Sequence, residues 1–165
     1  MTSGSICVVG LGYIGLPTAA MFAANGKNVV GVDINEYVVA TINAGKIHIV
    51  EPDLDIIVNR AVNKGSLRAT LSAESADVFI IAVPTPFFQR EDETVIPAPD
   101  LTHIKSAAQM IAKVLKKGDL IILESTSPVG TTEKLAKWIA IERSDLTFPQ
   151  THGEDSDIRI AYCPE

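Results

Sequence analysis

Cysteine, positive charge and long apolar runs are all scarce in this chain. Only two of its 165 residues are cysteine, Cys7 and Cys163. Two thiols make no disulfide framework, so the expected compartment is the cytoplasm. Lys and Arg number 14 against 20 Asp and Glu, a net charge of −6. Without a basic face the chain is expected to bind no nucleic acid and no anionic membrane. An anionic cofactor stays compatible with that charge, because backbone N–H groups at a helix N-terminus hold phosphate without many lysines. No apolar run approaches the roughly 20 residues needed to cross a bilayer. Met1-Thr2-Ser3-Gly4-Ser5 puts no basic region ahead of an apolar stretch, so no secretory signal is visible. His48, His103 and His152 are scattered without metal-ligand spacing. No internal repeat is present.

What the chain does have is a soluble globular composition, 47% apolar and 21% charged, and a steady alternation of two patterns. Short β-branched or apolar runs predict strands over Ser5–Val9, Asn28–Val32, Leu67–Leu71, Val78–Val83, Leu120–Leu123 and Ile158–Cys163. Helical spacing lies between them. Leu16, Ala19, Ala20 and Ala23 share one face, with Pro17 in the first turn and Gly26 at the stop. Asn35–Ala44 reads as a second helix, closed by Gly45. Glu51-Pro52-Asp53 opens a third, on which Leu54, Ile57, Val58, Ala61 and Val62 follow i, i+3, i+4, i+7, i+8. Ile104, Ala107, Ala108, Ile111 and Leu115 mark another, and Leu135, Trp138 and Ile139 one more. Strands apolar at every position are buried on both faces, which implies a parallel sheet covered by helices. The expected fold is therefore α/β, a Rossmann-type doubly wound parallel sheet with helices on both faces, forming one domain over residues 1–165. Phe87–Asp100 and Arg143–Asp157 read as loops, the first long enough for a mobile cover or an oligomer contact.

Gly10-Leu11-Gly12-Tyr13-Ile14-Gly15 follows the first strand and opens the first helix. In a dinucleotide-binding turn, Gly10 permits the bend, Gly12 lets backbone approach a pyrophosphate, and Gly15 lets helix pack on strand. The helix N-terminus meets the pyrophosphate with free N–H groups and a favourable dipole. Asp33 ends the second strand, 18 residues after Gly15. A carboxylate there accepts from adenosine ribose hydroxyls and repels a 2′-phosphate, which favours NAD over NADP. FAD is an alternative, and three turn glycines beside a helix-capping Asp are the plain structural one.

Other strand ends carry weaker signals. Pro84-Thr85-Pro86 stiffens a turn that could hold Thr85 toward a cofactor. Glu124-Ser125-Thr126-Ser127-Pro128-Val129-Gly130-Thr131-Thr132 places hydroxyls before a helix. On the residues alone, stiffening and capping account for both. Glu165 ends the last strand segment and is a general-base candidate or an exposed end. Cys163 is expected to be a buried, inert thiol, since it closes an apolar run with no His nearby in sequence. His103 is expected on an exposed helix turn. Asp53, Asp55 and Glu91-Asp92-Glu93 read as solvated surface.

Gly10-Leu11-Gly12-Tyr13-Ile14-Gly15-Leu16-Pro17, Gly31-Val32-Asp33, Val83-Pro84-Thr85-Pro86, Ser125-Thr126-Ser127-Pro128-Val129-Gly130-Thr131-Thr132 and Cys163-Pro164-Glu165 together resemble, in order, the pattern of the UDP-glucose/GDP-mannose dehydrogenases. The stretch Ile47-His48-Ile49-Val50-Glu51-Pro52-Asp53-Leu54, with Ile122-Leu123-Glu124-Ser125, looks most like members acting on UDP-N-acetyl-D-mannosamine. UDP-N-acetylglucosamine, UDP-glucose and GDP-mannose are the alternatives within the family.

The resemblance implies a four-electron oxidation of a sugar C6 alcohol to a carboxylate, here giving UDP-N-acetyl-D-mannosaminuronate, with two NAD reduced. It implies a thiohemiacetal and then a thioester on a cysteine, hydrolysed by water. Carried over, Tyr13, Ile14, Asp33, Thr85 and Thr126 contact NAD. Thr126 also positions water or substrate, and Glu165 is the base of the hydrolytic step. The family's nucleophilic cysteine, its oxyanion-stabilising lysine and asparagine, its central dimerisation helix and its UDP-sugar domain lie beyond residue 165. The chain is thus expected to be an N-terminal piece that binds NAD without turnover, homodimeric when full length. The family resemblance also suggests supply of an aminosugar acid for a bacterial surface polysaccharide. A stand-alone NAD-sensing regulatory module is the alternative of a different class.

Overall fold

The computed structural model describes residues 4–87 and 98–163. Its six strands are β1 (Ser5–Val9), β2 (Asn28–Val32), β3 (Leu67–Thr70), β4 (Val78–Ile81), β5 (Leu120–Leu123) and β6 (Arg159–Tyr162). Its helices are α1 (Gly15–Ala24), α2 (Glu36–Asn43), α3 (Leu54–Asn63), α4 (Thr102–Ala112), α5 (Thr131–Glu142) and the short α6 (Pro149–His152). The strands form one sheet in the order β3-β2-β1-β4-β5-β6. Every pairing is parallel, as the doubly wound reading requires. Strand order reverses between β1 and β4, and a crevice opens at such a point beyond the carboxyl ends of the strands.

The pleat of the central strands sorts the core into two layers. Cys7, Val9, Phe79 and Ile81 point to the side packed by α4 and α5 through Ile104, Ala108, Ile111, Leu135 and Ile139. Ile6, Val8 and Ile80 point to the other side, against Leu16 and Ala20 of α1, Ile42 of α2 and Val58 of α3. Adjacent strand residues face opposite layers, so near-continuous apolar runs are what β1 and β4 need. Helix boundaries follow their chemistry. Asn35 caps α2 by accepting from the Tyr37 N–H at 3.0 Å. Gly26 and Gly45 take positive φ just past α1 and α2.

Three expectations need correction. β6 is a sheet edge with mostly exposed residues, not a strand buried on both faces. Cys163 is consequently exposed, not buried, whereas Cys7 in the central strand is fully buried. Arg143–Asp157 is not a plain loop: it holds α6 and a 3-10 turn over Gly153–Asp155. Leu146, Phe148 and Ile158 anchor that segment in the core. Of the other expected loop, Phe87 bridges Pro99 in antiparallel fashion and the Asp100 N–H donates to the Pro86 carbonyl at 2.7 Å. Glu91-Asp92-Glu93 and Glu165 lie outside the described residues. Among the described residues no helix is long and apolar enough to cross a membrane.

Candidate functional site

The carboxyl ends of β1, β2 and β4 open onto a cleft of about 680 Å³. Its floor is the glycine-rich turn, and each glycine there answers a different steric demand. Gly10 has φ +94°, and a Cβ on it would stand 2.6 Å from the Ala82 carbonyl oxygen. A Cβ on Gly15 would stand 1.8 Å from the Gly10 carbonyl oxygen. These two are required by the fold. A Cβ on Gly12 would meet no protein atom within 4 Å. Gly12 is therefore not explained by packing, and a ligand pressed against the backbone is what would need it. No side chain caps α1, and its first turn carries no acidic residue, whereas α2, α3 and α5 each carry one there. That end of α1 is left for an external anion.

Leu11 locks the turn into the interior. It is fully buried, and it occupies the space that a side chain at residue 31 would need: a Cβ on Gly31 would come within 2.7 Å of a Leu11 methyl. Asp33 secures the turn from above. One of its carboxylate oxygens accepts from the Leu11 N–H at 3.1 Å and the other from the Asn35 N–H at 2.9 Å. Half-buried at the lip of the cleft, it keeps lone pairs on both oxygens for a diol. Asp33 is not the helix cap that the plain structural reading supposed, since Asn35 caps α2; its bonds brace the turn and leave acceptor capacity on both oxygens. Tyr13 and Ile14 are exposed at the mouth.

Across the switch point the cleft continues into a smaller one of about 310 Å³, sharing Ile14, Ala82, Val83 and Pro84 with the first. Thr85, Glu124 and Thr126 line it. The Thr85 hydroxyl donates to the Thr126 carbonyl at 2.6 Å, so the two predicted threonines lie together on adjoining strand ends. The buried Ser125 hydroxyl is engaged with the Val83 carbonyl at 2.7 Å and serves as a rivet between β4 and β5. Ser127 is held through its main chain: its N–H donates to the Tyr162 hydroxyl at 3.2 Å, and that hydroxyl donates to the Ser127 carbonyl at 3.1 Å.

Gly10, Gly12, Tyr13, Ile14 and Asp33 line the larger cleft and Thr85 and Thr126 the smaller one that adjoins it, whereas Gly15 lines neither and is buried at the start of α1, against the turn's own backbone. His103 is exposed on α4, as its sequence suggested, but it also lines the cleft with Ser106, Ala107 and Met110. That spacing, i, i+3, i+4, i+7, is one helix face and was readable as such. Thr18 carries no such pattern: its hydroxyl donates to a Glu124 carboxylate oxygen at 3.1 Å across 106 residues of sequence, and nothing local signals that contact. Among the described residues no cluster of His, Cys, Asp and Glu could hold a metal ion.

A sheet ordered 3-2-1-4-5-6, a turn whose middle glycine faces open space and an acid closing the second strand define a dinucleotide-binding domain. The family follows from comparison. Residues 4–165 match the model of the UDP-glucose/GDP-mannose dehydrogenase family, NAD binding domain, and the chain belongs to that family; its cofactor is NAD. A UDP-N-acetyl-D-mannosamine dehydrogenase from Campylobacter jejuni is 63% identical over 160 residues, covering 97% of this chain and 38% of that protein. An NDP-N-acetyl-D-galactosaminuronic acid dehydrogenase from Ralstonia nicotianae is 58% identical over 161 residues, covering 98% and 37%. Among solved structures, a UDP-N-acetyl-mannosamine dehydrogenase from S. aureus superposes with a TM-score of 0.85 at 39% identity, covering 98% of this chain and 36% of that one. The chain thus spans little more than a third of the length of these relatives.

Proposed function

We propose that residues 1–165 are one NAD-binding domain serving a cytoplasmic nucleotide-sugar 6-dehydrogenase. The substrate in this reading is UDP-N-acetyl-D-mannosamine, oxidised to the uronate with two NAD. The observation that carries it is a sterically unexplained Gly12 and, bonded to the neighbouring Leu11 N–H, the Asp33 carboxylate, both lining one cleft. The pyrophosphate rests on the Gly10–Gly15 turn and the α1 N-terminus, and Asp33 accepts from the adenosine ribose hydroxyls. Tyr13 and Ile14 flank the dinucleotide, and Thr85 and Thr126 contact its nicotinamide end. When bound, NAD supplies the hydride acceptor. Thr126 orients water or substrate beside it, and Glu165 acts as the base of hydrolysis.

The names of the Campylobacter and S. aureus relatives support the choice of sugar. In this reading the UDP-sugar is held mainly by a part of the full-length protein that this chain does not span, and the full-length protein works as a homodimer. Alone, the 165-residue chain binds NAD and shows no turnover. Calorimetry with NAD and NADP, on the native chain and on Asp33→Ala, tests the cleft: equal affinity of the native chain for both cofactors counts against Asp33. Sustained NADH formation by this chain with UDP-sugars overturns the division of labour. Assay of the full-length protein on UDP-N-acetylmannosamine, its gluco and galacto isomers and UDP-glucose tests the substrate, and faster oxidation of another sugar overturns it.

A further inference from the structure

The smaller cleft contains one ionisable side chain among the described residues, Glu124. It stands just past β5, where its main-chain N–H donates to the Ile81 carbonyl at 2.9 Å. The side chain is half-buried, and the Thr18 hydroxyl of α1 donates to one of its oxygens at 3.1 Å. The carboxylate is therefore held in place from the helix that opens at the pyrophosphate turn. A charge fixed in a partly desolvated cleft acts on a ligand more strongly than the same charge on a mobile surface side chain.

In a doubly wound sheet each half takes one nucleotide of the pair. Asp33 assigns the adenosine to the β1–β2 half, so the nicotinamide lies over β4 and β5, in the cleft that Glu124 lines. The oxidised nicotinamide ring carries a positive charge and the reduced ring is neutral. A nearby fixed carboxylate attracts the first and gains nothing from the second. We propose that Glu124 makes this cleft discriminate between the redox states of its cofactor, binding NAD more tightly than NADH. The inference rests on the cofactor placement given under Proposed function. Its consequence is that the reduced cofactor leaves a site built for its precursor, which suits a reaction that must take up two NAD in turn.

The test is calorimetric titration of the native chain and of Glu124→Gln with NAD, NADH and ADP-ribose. Glutamine keeps the size of the side chain and an acceptor for Thr18 while removing the charge. The expected result is about a tenfold fall in the ratio of NAD to NADH affinity, with ADP-ribose affinity unchanged. Glu124→Ala reads the same ratio should the glutamine variant not fold. An unchanged ratio, or an equal loss for both redox forms, overturns the proposal and leaves Glu124 as a tie between α1 and β5. Failure of ADP-ribose to bind the native chain overturns the cleft assignment itself, and this inference with it.

Discussion

The two sides of the cleft are made of different material. On the β1–β2 side the groups that face a ligand are main-chain amides of a glycine turn, with one carboxylate bracing them. On the β4–β5 side they are carried by Thr85, Thr126 and Glu124 at the strand ends, with the Thr85 hydroxyl tied to the Thr126 carbonyl, Ser125 to the Val83 carbonyl and Glu124 to Thr18 of α1. A site built from main chain constrains which residues can stand there, because a Cβ at Gly10 or Gly15 collides with backbone and one at Gly12 stands in the space a ligand would take. A site built from side chains does not, because threonine, serine and glutamate serve equally as caps and rivets. The first is therefore rigid and spelled out, and the second is adjustable and concealed.

The contrast can be broken most severely at Gly15. Gly15→Ala puts a methyl 1.8 Å from the Gly10 carbonyl oxygen. A loss of about 3 kcal/mol or more in chemical denaturation is expected. Gly12→Ala is the counterpart: stability within about 0.5 kcal/mol of native, but NAD affinity lower by at least about tenfold by calorimetry. If both variants lose stability alike, the separation of fold glycines from ligand glycine fails.

The two thiols sharpen the contrast between sheet centre and sheet edge. Burial pushes the Cys7 thiol from an ordinary 9.0 up to about 11. The folded state therefore holds this proton more tightly than the unfolded chain. Its contribution to stability is complete below pH 9.0 and is lost as pH rises toward about 11. The loss amounts to about 2 to 3 kcal/mol. Denaturation midpoints across that range, native against Cys7→Ala, check it; an identical alkaline loss in the variant refutes it. In the native chain a thiol reagent should label Cys163 quickly and Cys7 only on unfolding.

Asp33→Ala leaves the Leu11 and Asn35 N–H groups without their acceptor, and about 1 to 2 kcal/mol of stability should go with them, read by thermal melting. Tyr162→Phe, on the side-chain half, removes both hydrogen bonds to the Ser127 main chain. Its cost should stay under about 1 kcal/mol, yet hydrogen exchange at the Ser127 amide should quicken. An unchanged exchange rate would mean that the loop carrying Thr126 is held by something else.

Most of the architecture was readable because period and burial agree in it. β1, β2 and β5 fall on the residues that their apolar runs predict, and the alternation of strand and helix allowed little but a parallel sheet. What could not be read was position within the sheet. Ile158–Cys163 is mostly apolar but carries Arg159, the one sign in it of an exposed face, and the strand order then makes it an edge and leaves Cys163 exposed. α6 escaped because four residues are too few to show a helical period. At the site, Gly10, Gly12, Gly15 and Asp33 were legible from spacing and context. Thr85 and Thr126 were flagged on the family pattern, because their residue types alone fit capping equally well. The Thr18–Glu124 link joins residues 106 apart in sequence, and no local pattern encodes such a contact.

Leu11 has a consequence for how a dinucleotide would be received. Because its side chain is sunk in the pocket that Gly31 vacates, the amides around it stand on the interior packing of the sheet. The entropy of immobilising that segment is settled when the chain folds, so capture of a diphosphate there requires little further ordering of backbone.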